Sequence, residues 1–310
     1  MTGGQSHPGE TRAAETGRDA AAGPATGSPA TGGRATGAKD TGRKGGPPPA
    51  PAPLDVEIID SHCHLDLMDG TPADAVAAAK AVGIRRMISV GVDLPTSRWQ
   101  AEVAARLPDV YAAVAIHPNE AAHGVDEATF AELTRLARLP QVRVIGETGL
   151  DYFRTPAEQH AAQQESFRRH IAIAKATARP LMIHDRDAHA DTLRILAEEG
   201  APERVIFHAF SGDAEMAKVC ADAGYVMSFA GNVTFKNAAD LRAAAAVAPR
   251  ELLLVETDAP FLTPVPYRGR PNGPYLVPLT LRAIAEVRGE PVDELAGTIA
   301  ATADRLFGPW

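Results

Sequence analysis

The sequence predicts an α/β chain, a (β/α)8 TIM barrel preceded by a disordered N-terminal tail, and three observations carry that reading. From residue 54 onward, eight short β-branched runs alternate with amphipathic helical stretches. That segment has the length of one such barrel domain. The unusual polar residues stand at the carboxyl ends of the runs, the rim where a parallel barrel gathers its reactive side chains.

The tail comes first. Residues 1–53 contain no Val, Ile, Leu, Phe, Tyr or Trp. Such a stretch cannot bury enough apolar surface to offset its conformational entropy, so it is expected to be disordered and to add nothing to the fold. It lacks the apolar centre of a secretory signal, and its acidic residues do not suit a transit peptide. The domains are therefore a tail over 1–53 and a barrel over 54–310. The tail carries six basic and four acidic residues, which leaves about −10 on the barrel against a formal −8 for the whole chain. An acidic body argues against a broad surface for gripping duplex DNA, while leaving room for a local basic rim. No apolar run is long enough for a membrane span. Two cysteines, Cys63 and Cys220, are too few for a disulfide scaffold. The expectation is a cytoplasmic monomer with no membrane partner.

The strand candidates are Val56–Ser61, Arg86–Val90, Val110–Ile116, Val142–Gly146, Leu181–Ile183, Arg204–Phe207, Tyr225–Phe229 and Leu252–Glu256. Helices are expected near 72–83, 95–106, 126–139, 156–178, 188–199, 213–223, 238–247, 278–288 and 292–307. Pro72, Pro95 and Pro156 suit first turns, and Gly83, Gly200 and Gly224 suit helix ends. Mostly apolar strands alternating with helices favour a closed parallel barrel over an open sheet.

On that frame His62 and His64 end the first strand. Side chains two apart on a strand point the same way, so both imidazoles can face one ion while Cys63 faces away. His117 ends the third strand, Glu147 the fourth, His184 the fifth, His208 the sixth and Asp258 the eighth. Four histidines and two carboxylates form a ligand set for Mg²⁺, Mn²⁺ or Zn²⁺. A carboxylate can bridge two cations, and Glu147 is central in the strand order. One ion would take His62, His64, Glu147 and Asp258; the other would take Glu147, His184 and His208. Two ions can activate a water and clamp a phosphate, and Asp258 can also handle the proton of that water.

These stretches resemble the TatD family of metal-dependent deoxyribonucleases, within the amidohydrolase-like barrels. The matching motifs are Asp60-Ser61-His62-Cys63-His64-Leu65-Asp66, Ile116-His117-Pro118, Gly146-Glu147-Thr148-Gly149-Leu150-Asp151-Tyr152, Ile183-His184-Asp185-Arg186, His208-Ala209-Phe210-Ser211-Gly212 and Glu256-Thr257-Asp258-Ala259-Pro260. The resemblance runs from about Ile58 to Phe307. It implies a two-metal barrel with the ligands already named, and 3′–5′ exonuclease activity on DNA ends. For some members it implies release of D-amino acids from tRNA. An amidohydrolase or lactonase on the same site is a further alternative, disfavoured because no lysine stands at a strand end to act as the carboxylated bridge. The chain departs from the commonest pattern at Asn119, at Thr148 and at Arg270-Pro271-Asn272-Gly273-Pro274. None of these removes a metal ligand.

Four residues are candidates for substrate contact. His117 and Arg186 stand at strand ends, and Arg268 and Arg270 lie on the loop after the last strand. Arg186 has the alternative of an ion pair with Asp185 or Asp187. Tyr152 and Phe210 could stack on a base or simply pack the wall. Ser211 and Asp213 read as a helix N-cap, and His123, His160, His170 and His189 as surface residues.

Overall fold

The computed structural model describes residues 45–308; the disorder expected of residues 1–44 lies outside them. Eight strands form one sheet in chain order, each parallel to the next. They are β1 (Ile58–Cys63), β2 (Ile84–Val90), β3 (Val110–Val114), β4 (Val142–Asp151), β5 (Leu181–Arg186), β6 (Val205–Phe207), β7 (Val226–Phe229) and β8 (Leu253–Val255). The ends of the sheet meet just beyond β1 and β8. Asp258 N–H donates to the His62 carbonyl at 2.9 Å, and His64 N–H donates to the Ala259 carbonyl at 2.7 Å. The sheet closes as the (β/α)8 barrel that the alternation predicts. Ile58, Ile59, Met87, Ile88, Phe207 and Phe229 are all buried. With helices outside and side chains within, the strands have no wet face, so they read as apolar runs instead of alternating ones.

Side chains set the starts of half of the described α-helices. Thr71 and Asp74 form a capping box on helix Pro72–Lys80, and Asp93 and Thr96 form one on Leu94–Arg106. Asp213 caps helix Ala214–Asp222 through the N–H groups of Glu215 and Met216. Ser211 does not share that role; its hydroxyl donates to the Asp185 carbonyl. Pro156 does not open a long helix as expected. A 3-10 turn, Ala157–Gln159, intervenes and the helix proper is His160–Thr177. The Thr155 hydroxyl is bonded back to the Asp151 carbonyl, which ties this segment to the strand end.

β4 runs five residues past its expected end at Gly146, because two glycines let it lie against β5. A Cβ at Gly146 would overlap Met182, and one at Gly149 would overlap the His184 carbonyl. Gly149 also has a φ of +133°, open to glycine and costly for other residues. That tight pairing sets Glu147 and His184 on neighbouring strands.

The sequence reading ends the tail at residue 53, yet residues 46–53 lie along the barrel. Arg270 donates to the Gly46 and Pro47 carbonyls at 2.9 and 2.8 Å, and the Tyr275 hydroxyl donates to Pro48 at 3.0 Å. Arg282 donates to the Ala52 and Pro53 carbonyls at 2.8 and 3.1 Å. The segment docks through its backbone, which an inventory of apolar side chains overlooks. Five prolines between 47 and 53 lack N–H donors, so their segment offers mainly acceptors, and arginine and tyrosine supply the protons. A chain starting at residue 54 should therefore melt at least about 3 °C lower than one starting at residue 45, given charged-donor bonds of roughly 1 kcal/mol or more and about 2–4 °C per kcal/mol. Equal melting temperatures by calorimetry would show that the segment contributes nothing.

Candidate metal centre

The barrel brings the six expected ligands together at one rim. His62 and His64 point their Nε2 atoms to within 3.2 Å of each other. Asp258 Oδ1 lies 3.7 Å from the first and 3.5 Å from the second. Cys63 faces away, its thiol directed at the Ile88 carbonyl. Asp258 holds a left-handed backbone, φ +51°, beside the seam that closes the sheet. Glu147 is buried, with its two oxygens facing different imidazoles. Oε2 lies 3.6 Å from His62 Nε2, 3.8 Å from His184 Nδ1 and 2.6 Å from His208 Nε2. Oε1 lies 3.9 Å from His64 Nε2 and 3.6 Å from His117 Nε2.

The outer nitrogen of each candidate ligand histidine is already engaged. His64 Nδ1 faces the Val90 carbonyl at 3.1 Å, and His62 Nδ1 faces Met182 Sδ at 3.1 Å. His184 Nε2 faces Asp151 Oδ2 at 3.3 Å, and His208 Nδ1 faces Glu256 Oε1 at 3.2 Å. All four partners accept hydrogen bonds, so each neutral ring carries its proton outward and its lone pair inward. That is how ligand imidazoles are oriented for a metal. His117 is the opposite case. Its Nδ1 accepts from Asn119 N–H at 3.1 Å, which leaves the proton on the Nε2 that faces Glu147. It is a donor to the site, not a ligand, in the neutral form.

Charge balance supports the same reading. Burial opposes a charge on Glu147, but His208 and His117 outweigh it and hold the carboxyl well below its ordinary range. Burial opposes a charge on His208 too, and Glu147 and Glu256 push it well above the ordinary histidine value. For His64 burial is offset by the hydrogen bond to Asp258 and the charge of Glu147, and its value rises to about 9. His62, stacked on His208 at 3.9 Å, is driven well below the ordinary value by burial and by that neighbour. Burial takes His117 down to about 3. The carboxylates draw positive charge to the cluster, which protons supply where no metal does. One observation favours a metal over protons. Although His208 Nε2 is 2.6 Å away, Glu147 Oε2 has no aligned hydrogen-bond partner. Ligand atoms of His62, His64 and Asp258 lie within 4.8 Å of one another, and on the other side of Glu147 its Oε2 faces both His184 and His208. These nitrogen and oxygen donors suit a divalent ion.

Two second-layer carboxylates escaped the sequence reading. Asp151 and Glu256 fix His184 and His208, and Glu256 also accepts from Ala209 N–H at 2.8 Å. The signal was available: each is two or four residues from a ligand at a strand end. Asp60 likewise accepts from Thr257 N–H at 3.0 Å, and burial raises its value to about 8.

The expected substrate contacts divide. Arg186 stacks on Phe153, 3.9 Å from the ring centroid, and Arg268 on Phe235 at 4.4 Å. Neither of the ion pairs foreseen for Arg186 is its main contact. Arg270 is held on the carbonyls of Gly46 and Pro47 through Nε and Nη2. Phe210 is buried in the wall, which removes it as a stacking candidate. Tyr152 stacks on His160 and donates to Asp191 at 2.7 Å. His170 is no surface residue: it is fully buried, accepting from Ile116 N–H at 3.1 Å.

The model of the TatD-related DNase family matches residues 59–308. An uncharacterized metal-dependent hydrolase of Mycobacterium tuberculosis, TatD, is 44% identical over 260 residues, covering 81% of this chain and 98% of its own. The Escherichia coli K12 metal-dependent hydrolase YcfH is 39% identical, with coverage of 81% and 95%. Among solved structures, the E. coli TatD homologue YjjV superposes with a TM-score of 0.77 at 27% identity, covering 82% of this chain and 98% of its own. The chain belongs to the TatD-related DNase family and is a metal-dependent hydrolase.

Proposed function

We propose that this chain is a two-metal phosphodiesterase that removes nucleotides from the 3′ ends of DNA. The observation that carries the reading is the two-sided disposition of lone pairs about Glu147, His62 and His64 with Asp258 on one side and His184 with His208 on the other. His62, His64, Glu147 and Asp258 would hold one divalent ion, and Glu147, His184 and His208 the second, as Mg²⁺, Mn²⁺ or Zn²⁺. Such a pair, when bound, lowers the pKa of a shared water and stabilises the attacking and leaving oxygens of a phosphate. Asp258, with a side chain 13% exposed against 6% for Glu147, is the more open carboxylate and is placed to accept the water's proton. His117 offers its Nε2–H to a substrate oxygen. Arg186 and Arg268 add positive charge beyond the ligands, the local basic rim that an acidic body still allows. The family's description as DNases supports DNA as the substrate.

The test separates bridge from proton handler. Glu147→Gln keeps the size of the side chain but loses the charge between the two ions. It is expected to abolish both metal content and release of nucleotides from end-labelled single-stranded DNA. Asp258→Asn is expected to keep at least one ion and lose about 10²–10⁴-fold in turnover, without recovery at high Mn²⁺. Full recovery would reduce Asp258 to a ligand. Chelated protein, checked metal-free by mass spectrometry, should be inert. A metal-loaded sample that spares DNA but deacylates D-aminoacyl-tRNA would replace the phosphodiester reading with an ester-cleaving one.

A further inference from the structure

We propose that Phe261 is the stacking surface for a base of the nucleotide held at the metal centre. The inference rests on the nuclease reading above. Phe261 is 49% exposed. Burying that ring would contribute about 25 cal/mol per Å² of apolar surface, yet the fold holds it half in water. Its backbone is nonetheless anchored. Phe261 N–H donates to the Asp258 carbonyl at 2.7 Å, and its own carbonyl accepts from Asn272 Nδ2 at 2.5 Å. Asn272 is buried, and its amide also donates to the Thr257 carbonyl at 2.9 Å. The backbone that carries the ring is thereby held beside Asp258.

It also lies beside a metal-ligand candidate. The Phe261 and His64 ring centroids are 6.0 Å apart with planes at 74°, an edge-to-face contact. A wet aromatic ring, carried on an anchored backbone one ring away from the proposed phosphate site, suits the stacking of a nucleobase. Phe153, although 63% exposed, has the Arg186 guanidinium over its face.

The experiment compares wild type, F261A, F261L and F261W on two single-stranded oligonucleotides of equal length. One is ordinary, and the other lacks the bases of its last two 3′ nucleotides. F261A is expected to lower kcat/KM on the ordinary strand by about 5- to 100-fold, the range of base–aromatic stacking, mainly through KM. On the abasic strand the loss should be at least fivefold smaller. Leucine keeps apolar volume without a π face, so F261L should resemble F261A, while F261W should resemble wild type. Equal losses on both strands, or no loss on the ordinary one, would overturn the assignment. A wild type inert on both oligonucleotides overturns the nuclease reading itself, and this inference with it.

Discussion

The centre depends on one buried carboxylate. Glu147 sits among five imidazole nitrogens, none farther than 3.9 Å from one of its oxygens. A buried charge of that kind is tolerated only when compensated, so the surrounding groups must deliver positive charge to it. The rest of the rim serves that demand. Gly146 and Gly149 let β4 press against β5, and the seam between β1 and the end of β8 brings His62, His64 and Asp258 to the other side. Behind the ligands, Asp151, Glu256 and the Val90 carbonyl hold the outer ring nitrogens, so the inner lone pairs all point one way. Removing the charge of Glu147 would therefore leave a set of converging lone pairs with nothing between them.

Much of this was legible in the residues. The alternation of apolar runs with amphipathic stretches reveals a barrel because helices cover every strand, and that removes polar residues from both strand faces. Against such a background, a histidine or carboxylate at a strand end stands out. His117 stands out in the sequence as a strand-end histidine, and the nitrogen it turns to Glu147 follows from a single backbone bond, Asn119 N–H to Nδ1. No side-chain pattern announces that bond. Asp151 and Glu256 were present in the motifs but silent, since a second-layer carboxylate becomes visible only when the ring it orients is placed.

The failures share a cause. Arg270 and the segment 46–53 interact through backbone carbonyls, and carbonyls have no sequence signature. A proline-rich stretch without apolar side chains reads as solvated, although its lack of N–H donors makes it a row of acceptors for arginine. His170, on a helix, reads as a surface residue, yet it is buried against Phe130 and bonded to the backbone of Ile116. In each case the decisive partner is remote in sequence, and the closure of the barrel brings it near.

Glu147 is proposed to lie between two cations. Anomalous diffraction from crystals equilibrated with Mn²⁺ tests it most directly. Two peaks roughly 3.5–4 Å apart are expected, one beside His62, His64 and Asp258 and one beside His184 and His208, each in contact with a different oxygen of Glu147. A single peak, or peaks that leave Glu147 untouched, would contradict it.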